Sequence, residues 1–262
     1  MRYAEYPPAP RHAAIVERYW FLAGDGIGVP DAVVPDGRVE LIFHAGARFR
    51  RHHPDGPCEL QPRAILAGQM LTPIALSHTG SASVAAIRLR PSAVKAVIGC
   101  NASNVTSRVL DLVDLLPTAR SVVEQLPEAR DDRARISILE AWLARIVHLQ
   151  PRREIEQAVE MILGSGGAGQ LATVASQAGV SLRHLERRFA DEVGLPPKAF
   201  ARIVRLQRAL RQIRDGASLG EVALACGYFD QAHMTRDFSR LAEMSPHAWR
   251  EHTGELAPLF VG

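Results

Sequence analysis

The sequence predicts an α+β protein with a β-rich N-terminal domain and a C-terminal domain built only of helices. Three observations lead to this prediction. Short β-like runs fill residues 32–91, apolar residues at helical spacing follow them, and two similar helical units occur beyond residue 170. The chain has 262 residues, which is enough for two hydrophobic cores. Its composition, with 47% hydrophobic and 23% charged residues, argues against extensive disorder.

The β-like segments are separated by turn residues. Pro35-Asp36-Gly37 is a turn signal, and the alternating run RVELIF follows it directly. Further runs are AILAGQMLTPIALSHTG and SVAAIRLRP. Several short strands at such close spacing predict a small antiparallel β-barrel or sandwich.

After residue 91, apolar residues recur at spacings of three and four, as in amphipathic helices. The segments are SAVKAVIG, VLDLVDLL, RARISILEAWLARIVHL and REIEQAVEMIL. We interpret residues from about 92–163 as a helical connector that completes a first domain at 1–163. The run GSGGAG at 164–169 is interpreted as a linker to a second domain at 170–254.

The second domain contains an internal repeat. LATVASQAG, which starts at residue 171, matches LGEVALACG 48 residues later, and both segments end in glycine. The segments that follow match with an offset of 49, which pairs Leu185 with Met234 and Phe189 with Phe238. Each unit therefore predicts two helices joined by a glycine turn, which is a helix-turn-helix.

The second helix of each unit combines a core face with a polar face. Leu182, Leu185 and Phe189 are expected in the core of the first unit, and Met234 and Phe238 in that of the second. Exposed Arg, Gln, His and Thr side chains suit the major groove, where Arg pairs with guanine and Gln with adenine. The candidate DNA-binding residues are Ser181, Arg183, His184, Glu186, Arg187, Arg188, Gln231, Ala232, His233, Thr235 and Arg236. Ser181 and Asp230 stand at the expected N-caps.

One long helix is predicted between the two units, over KAFARIVRLQRALRQIR at 198–214. Its apolar stripe consists of Phe200, Ile203, Leu206, Leu210 and Ile213. At roughly 1.5 Å per residue the helix is about 25 Å long. It could therefore hold the two recognition helices near one DNA turn, roughly 34 Å, apart, so that double-stranded DNA is read at two adjacent major-groove segments.

These features resemble the AraC/XylS family of bacterial transcription regulators, whose DNA-binding domain has two helix-turn-helix units and a linking helix. The resemblance extends from about residue 171 to 250 and includes CGYFDQAHMTRDFSRLAEMSPHAWR. It implies base-contact positions at Arg183, Glu186, Arg187, Gln231, Ala232, His233 and Arg236. Two of these depart from simple readout, because Glu186 can accept only from cytosine N4 and Ala232 forms no hydrogen bond.

The segments RYWFLAGDG, VVPDGRVELIF and RLRPSAV resemble the cupin-like sensor domain of a subset of these regulators. The resemblance implies a small-molecule effector or an association surface, with a homodimer through the connector helices as one form of association. Trp20 and Glu40 are the candidate ligand-binding residues, since an aromatic wall with one polar group is a common ligand-site pattern. A packed Trp and a Glu on a strand face are equally consistent with the sequence.

The alternative function is a cupin-type metalloenzyme with an appended DNA-binding module. His44, His52, His53 and His78 would be its candidate metal ligands, yet no His-x-His with a following Glu occurs at ligand spacing. The sequence lacks a Gly-x-Ser-x-Gly elbow and a phosphate loop, and its three cysteines lie far apart. We therefore expect no enzyme activity, no catalytic residue, no metal and no cofactor.

The distribution of charge favours an anionic partner for the C-terminal third. Residues 170–254 contain 12 Lys/Arg and 9 Asp/Glu, which accounts for the whole net charge of +3. The sequence contains neither an apolar run long enough to span a membrane nor a signal-peptide pattern. We therefore expect a cytoplasmic protein without membrane contact.

Overall fold

The computed structural model describes residues 1–147, 150–251, 254 and 256. Two antiparallel sheets form the N-terminal domain, and the described chain beyond them is mainly helical. The fold class is therefore α+β, as the sequence predicts. None of the described helices combines the length and apolar character needed to span a bilayer.

The strands begin at the N-terminus of the chain. They are β1 (Arg2–Tyr6), β2 (Val16–Gly24), β3 (Asp31–Val33), β4 (Val39–His44), β5 (Phe49–His53), β6 (Gly56–Leu60), β7 (Ala64–Ala67), β8 (Ile74–His78), β9 (Ala82–Leu89) and β10 (Val109–Asp111). The larger sheet has the order β1-β2-β9-β4-β7-β10, and the smaller sheet β3-β8-β5-β6.

The larger sheet is buried on both faces. Val39, Leu41 and Phe43 of β4 pack against the connector helices, while Ile42 packs on the side of the smaller sheet. This alternation follows from the period of two along a strand. Trp20 of β2 lies on the same side as Ile42, between the two sheets.

The connector helices cover the outer face of the larger sheet. They are α1 (Val94–Ile98), α2 (Leu112–Leu115), α3 (Arg120–Gln125) and α4 (Asp132–Ile146). Trp142 of α4 is fully buried, meets the ring of Phe43 edge-on at 5.7 Å, and donates from Nε1 to Thr118 Oγ1 at 3.0 Å. The last two residues of the predicted segment, 148 and 149, lie outside the described residues.

The prediction of a helix over VLDLVDLL is wrong for its first three residues. They form β10, in which Leu110 pairs with Leu66 of β7 at the end of the larger sheet, and the helix begins only at Leu112. The Asp111 side chain caps that helix by accepting from the backbone N of Val113. A short apolar run fits a strand and a helix equally well, and the free edge of β7 decides between them.

The C-terminal helices share one core. They are α5 (Arg153–Gly164), α6 (Leu171–Gln177), α7 (Leu182–Val193), α8 (Pro197–Arg214), α9 (Leu219–Ala225), α10 (Gln231–Ala242) and α11 (Pro246–Arg250). Helix α8 is the single linking helix that the apolar stripe predicts, and all five residues of the stripe are buried.

Helix α5 packs with the C-terminal helices, although the sequence analysis assigns it to the connector. Ile155, Ala158, Val159 and Ile162 lie in the same apolar cluster as the stripe of α8. The apolar face of α5 requires a partner, and α8 supplies it. Helix α5 therefore shares the core of the C-terminal helices, and the domain boundary at 164–169 stays a prediction. Residues 252 and 253 of the predicted domain lie outside the described part of the chain.

The predicted linker at 164–169 forms a tight turn on α8. The Gly167 backbone N donates to Ile162 O at 2.9 Å, and Gly167 has a left-handed φ of 76°. A β-carbon at Gly167 would lie 2.0 Å from the carbonyl oxygen of Ala201. Glycine is therefore required here for close backbone packing rather than for a flexible spacer.

The two domains contact each other through both helix-turn-helix and linking-helix residues. Thr106 Oγ1 donates to the carbonyl of Gly194, which ends α7, at 2.5 Å. Gln207 Nε2 of α8 donates to Pro35 O at 2.8 Å, so the predicted turn at residues 35–37 rests on the linking helix. Val34 beside it lies in the C-terminal apolar cluster.

Candidate nucleic-acid interface

The two helix-turn-helix units have matching turns after the short helix. In both, the glycine after the short helix is left-handed, with φ 72° at Gly179 and 71° at Gly227. The backbone N of Val180 donates to Ala175 O at 3.0 Å, and that of Tyr228 donates to Ala223 O at 2.9 Å. The glycine N–H groups also donate, Gly179 to Ser176 O and Gly227 to Leu224 O, both at 3.1 Å. This pair of hydrogen bonds is the helix end expected at a glycine, and it confirms the repeat.

Both recognition helices begin at a side-chain N-cap. Ser181 Oγ accepts from the backbone N of His184 at 3.2 Å before α7, and Asp230 Oδ1 accepts from that of His233 at 2.6 Å before α10. These caps are the ones that the sequence predicts. They leave the first turn of each helix at the surface, where its positive dipole end favours phosphate.

The first recognition helix presents most of its predicted residues to solvent. Ser181, Arg183, Glu186 and Arg187 are exposed, while His184 and Arg188 are half-buried. Leu185 and Phe189 are fully buried, as predicted. The prediction that Leu182 lies in the core is wrong: its side chain is 41% exposed, because the first position of the helix stands at the rim of the apolar cluster.

The second recognition helix has the same arrangement. Gln231, Ala232 and Arg236 are exposed, while His233 and Thr235 are half-buried. Its core face consists of Met234 and Phe238, which are both fully buried.

The imidazole of His233 is held by its own turn. Its ring meets the Tyr228 ring edge-on, with centroids 5.4 Å apart, and Nδ1 accepts from the backbone N of Phe229 at 3.5 Å. With Nδ1 as acceptor, Nε2 carries the proton of the neutral ring. His233 can therefore act as a hydrogen-bond donor towards a partner.

Two contacts fix α10 and its turn to the linking helix. Arg202 donates to both carboxylate oxygens of Asp237, with distances of 2.8 and 3.4 Å. The Arg205 guanidinium lies over the Tyr228 ring, 5.1 Å from its centroid. Such a bidentate pair and cation–π contact orient α10 relative to α8.

The sequence analysis does not identify Phe229 as part of this surface. Phe229 directly precedes the N-cap of α10, and its side chain is 92% exposed. The sequence does contain a signal for its exposure. Phe229 stands between Tyr228, which is buried, and Asp230, which caps α10, so its side chain cannot also reach the core. An exposed aromatic ring at this point adds an apolar group to a polar surface.

Trp20 and Glu40, the candidate ligand residues, bind each other. Trp20 Nε1 donates to Glu40 Oε1 at 2.9 Å, and Arg88 Nε donates to the same oxygen at 2.8 Å. Burial raises the pKa of Glu40, and the charge of Arg88 opposes that shift. The Trp20 ring lines a small cavity between the sheets, whereas the Glu40 carboxylate is engaged in this internal pair.

Of the four histidines considered as metal ligands, His44 and His78 both contact the ring of Phe49, and the hydrogen bonds of His52, His53 and His78 go to different partners. His52 is hydrogen-bonded to Ser77 and Cys58, His53 lies 3.7 Å from Glu59, and His78 Nδ1 contacts the carbonyls of Gly26 and Gly80. Within the described ranges, no group of three or more His, Cys, Asp or Glu side chains is arranged to hold a metal ion.

Two family models match the chain. A helix-turn-helix domain matches residues 174–252, which span both units and the linking helix. A domain of unknown function, DUF6597, matches residues 4–111, which contain β2 to β10 and the last three residues of β1.

Curated relatives match about a third of the chain. The HTH-type transcriptional regulator Rv1931c of Mycobacterium tuberculosis is 33% identical over 88 residues, which is 33% of this chain and 34% of that protein. The helix-turn-helix model coincides with the two units described above. The C-terminal region is similar to the helix-turn-helix domains of such transcriptional regulators. The HTH-type transcriptional regulator MtrA of Neisseria gonorrhoeae is 36% identical over 83 residues, 31% of this chain and 28% of that protein. The chain thus spans about a third of the length of these relatives.

Two solved structures are also similar. A structure of ToxT from Vibrio cholerae aligns with a TM-score of 0.49 and 11% identity, over 89% of this chain and 99% of that one. An AraC-type regulator from Chromobacterium violaceum aligns with a TM-score of 0.36 and 25% identity, over 37% of this chain and 89% of that one.

Proposed function

We propose that this protein is a sequence-specific DNA-binding transcription regulator without enzyme activity. The proposal rests on the two equivalent recognition helices, each of which has an exposed N-terminal face. Arg187 and Arg236 occupy the same position in the two units, and both are exposed. Neither forms an ion pair with any other described residue. Unpaired guanidinium groups on a helix face suit bidentate pairing with guanine.

The linking helix supports simultaneous binding of both units. Helix α8 has 18 residues and is therefore about 27 Å long at 1.5 Å per residue. Consecutive major-groove segments on one face of B-DNA recur at roughly 34 Å. We propose that α7 and α10 enter two such segments of double-stranded DNA, with Asp237 and Arg202 keeping α10 in place on α8.

Each exposed side chain has a preferred base. Arg183, Arg187 and Arg236 suit guanine, Gln231 suits adenine, and Glu186 can accept a hydrogen bond only from cytosine N4. Phe229 and Ala232 have no hydrogen-bonding groups in their side chains and suit the methyl group of thymine. The proposed operator therefore contains guanine at three positions, with an apolar contact beside the second recognition helix.

Contacts at the end of α7 support control of the first recognition helix by the N-terminal domain. Glu192, near the end of α7, is buried between Lys95 Nζ at 3.7 Å and Arg152 Nε at 3.2 Å, and Thr106 holds Gly194. A shift of the N-terminal domain would therefore move α7. We propose that an effector at the N-terminal domain acts in this way. Two expectations from the sequence remain predictions. They are a homodimer formed through the connector helices and a cytoplasmic location.

Selection of bound duplexes from a random library tests the proposal. One enriched sequence is expected, and the native chain should shift it in a mobility-shift titration. Arg187→Ala and Arg236→Ala should each weaken binding to that duplex by about 1–3 kcal/mol, or about 5- to 150-fold.

The matched control is Arg133→Ala, which removes one exposed positive charge from α4, in the other domain. It should bind as the native chain does. Enrichment of no sequence at all would contradict the proposal, and equal affinities for the three variants would contradict the assignment of the two arginines.

A further inference from the structure

An open cleft of about 650 Å³ lies between the N-terminal domain and the linking helix α8. Small-molecule sites commonly have volumes of ~300–1,000 Å³. Among the described residues that line the cleft, five are arginines and three are acidic, and the only apolar side chains are those of Leu163 and Val204. The cleft therefore suits a polar ligand that carries negative charge.

Two buried polar side chains line the cleft, one from each domain, and each has an atom without a hydrogen-bond partner. Arg88 of β9 is 3% exposed, and its Nη2 has no such partner among the described residues, although the Asp36 carboxylate lies 3.7 Å away. Gln207 of α8 is 5% exposed, and its Nε2 donates to Pro35 O at 2.8 Å. The Oε1 atom of Gln207 has no partner in the described part of the chain. Buried polar atoms are nearly always hydrogen-bonded, so one donor and one acceptor stand ready here for a ligand.

Two arginines on the α8 wall have no acidic partner. Arg208 is half-buried and Arg211 is exposed, and both line the cleft. Arg202 on the same helix pairs with Asp237, whereas neither Arg208 nor Arg211 forms an ion pair with any residue that the structure describes. Side chains three residues apart are neighbours on a helix surface, and guanidinium groups bind phosphate oxygens through charge-assisted hydrogen bonds. The α8 wall therefore suits a phosphate group.

The arginines on the opposite wall, in the N-terminal domain, are paired. Arg38 Nε lies 2.5 Å from one carboxylate oxygen of Glu17, and Arg18 Nη2 lies 3.4 Å from the other. Arg88 Nε lies 2.8 Å from Glu40 Oε1. Because these charges are already balanced, this wall attracts a further anion only weakly. It suits the uncharged, hydrogen-bonding part of a ligand.

We propose that the cleft binds a small hydroxylated phosphate monoester, such as a sugar phosphate. The phosphate would lie on Arg208 and Arg211, and its charge of about −2 at pH 7 matches the excess of two arginines in the lining. A hydroxyl group both donates and accepts, so it can satisfy Gln207 Oε1 and Arg88 Nη2. The ligand would thereby join α8 to the N-terminal domain. Its regulatory meaning rests on the proposed function, whereas the binding site itself does not.

Calorimetric titration of the full chain with glucose 6-phosphate tests the site. Arg208→Gln and Arg211→Gln should each weaken binding by about tenfold, because each removes one charged donor to the phosphate. Lys198→Gln is the matched control, since it removes an exposed positive charge from the first turn of the same helix, outside the cleft. It should bind as the native chain does. Equal affinities in all four proteins would overturn the site.

The choice of probe tests the class of ligand. The native chain should bind glucose 6-phosphate more tightly than inorganic phosphate, glucose or octanoate, because only glucose 6-phosphate has both the charged and the hydroxylated part. Tighter binding of octanoate would overturn the polar class, and equal binding of inorganic phosphate would overturn the hydroxyl contacts. Gln207→Met should reduce the advantage of glucose 6-phosphate over inorganic phosphate, and thermal unfolding checks that this variant is folded. An undiminished advantage would overturn the role of Gln207.

Two further measurements separate this inference from the proposed function. The double variant Arg187→Ala with Arg236→Ala should still bind glucose 6-phosphate, and loss of binding there would place the phosphate on the recognition helices and overturn the cleft. In a mobility-shift assay, native chain that shifts the selected duplex but does not bind glucose 6-phosphate in calorimetry contradicts the inference alone. Native chain that shifts no duplex contradicts the proposed function and leaves the calorimetric result standing.

Discussion

Gly194 and Glu243 occupy the same position in the two helix-turn-helix units, 49 residues apart, and both have left-handed backbone. Gly194 follows α7 with φ 97°, and Glu243 follows α10 with φ 53°. Glycine adopts this conformation without a steric penalty, whereas the β-carbon of any other residue approaches the following carbonyl. The second unit therefore contains a strained helix end that the first unit avoids.

Replacement of Glu243 by glycine should stabilise the protein. Release of the strain gains about 1–2 kcal/mol, and the extra freedom of glycine in the unfolded chain offsets about half of that gain. The expected net increase in the free energy of unfolding is about 0.5–1 kcal/mol, measured as a higher Tm of the full chain. Glu243→Ala is the control, since it keeps the β-carbon and should leave Tm nearly unchanged. An equal rise in both variants would assign the effect to the lost carboxylate instead.

Replacement of Gly194 by alanine should be more harmful than the same change at Gly216. Both glycines are left-handed, with φ 97° and 91°, so both substitutions introduce backbone strain of about 1–3 kcal/mol. A β-carbon at Gly194 would also lie 3.0 Å from Thr106 Oγ1 and 3.1 Å from Ala102 O, whereas one at Gly216 meets nothing within 4 Å. The difference between the two losses of unfolding free energy measures how much the contact between the domains contributes to stability. Equal losses would show that this contact contributes nothing to stability.

The C-terminal domain is well predicted by the sequence because its signals are local. The glycine turns, the N-caps Ser181 and Asp230, and the apolar stripe of α8 depend on residues within a few turns of one another. The structure confirms each of them. Leu182 is the exception, since helical spacing alone does not show where the core ends.

Elements that depend on distant partners could not be predicted in this way. Strand β1 pairs with β2, and β10 completes the larger sheet beside β7, so each is defined by an edge formed elsewhere in the chain. Helix α5 has an apolar face that would fit either domain, and only its packing on α8 assigns it. The seating of Leu256 beside Asp31 joins residues 225 positions apart, which no pattern in the sequence reveals.

Replacement of Phe229 by alanine should weaken DNA binding without loss of stability. The side chain is 92% exposed, so its removal leaves no cavity in the protein. Loss of an apolar contact with a thymine methyl group should cost about 1 kcal/mol, or about fivefold in affinity. Leu224→Ala, which shortens an 81% exposed leucine on α9, is the matched control.

A change in the duplex tests the same contact from the other side. Replacement of each thymine of the selected site by uracil removes one methyl group. One such replacement should weaken binding of the native chain and have no effect on Phe229→Ala, which is the signature of a direct contact. Additive effects at every thymine would contradict the contact.

Replacement of Glu40 by glutamine should be strongly destabilising. Arg88 is buried, and Glu40 supplies its close carboxylate partner at 2.8 Å, while Asp36 lies at 3.7 Å. Removal of one partner leaves a buried charge poorly compensated, which costs about 3 kcal/mol in unfolding free energy. The double variant Glu40→Gln with Arg88→Met removes both charges and should recover most of the loss in chemical denaturation. Failure of the double variant to recover stability would show that shape, not charge, governs this site.

The buried His44 should make the protein less stable as the pH falls. Burial lowers the pKa of His44 from 6.5 to about 4 in the folded chain, so between these values the unfolded chain binds a proton that the folded chain does not. The free energy of unfolding should therefore fall as the pH drops through 6.5, by about 3 kcal/mol in total near pH 4, and stay high above pH 6.5. His44→Phe keeps a ring against Phe49 but cannot titrate, so its unfolding free energy should depend less on pH over this window. Urea denaturation at about pH 7 and about pH 4.5 measures the difference, with His247→Phe, at an exposed histidine, as the matched control. Parallel pH profiles for the native chain and His44→Phe would contradict a neutral buried His44, whereas His247→Phe should follow the native profile.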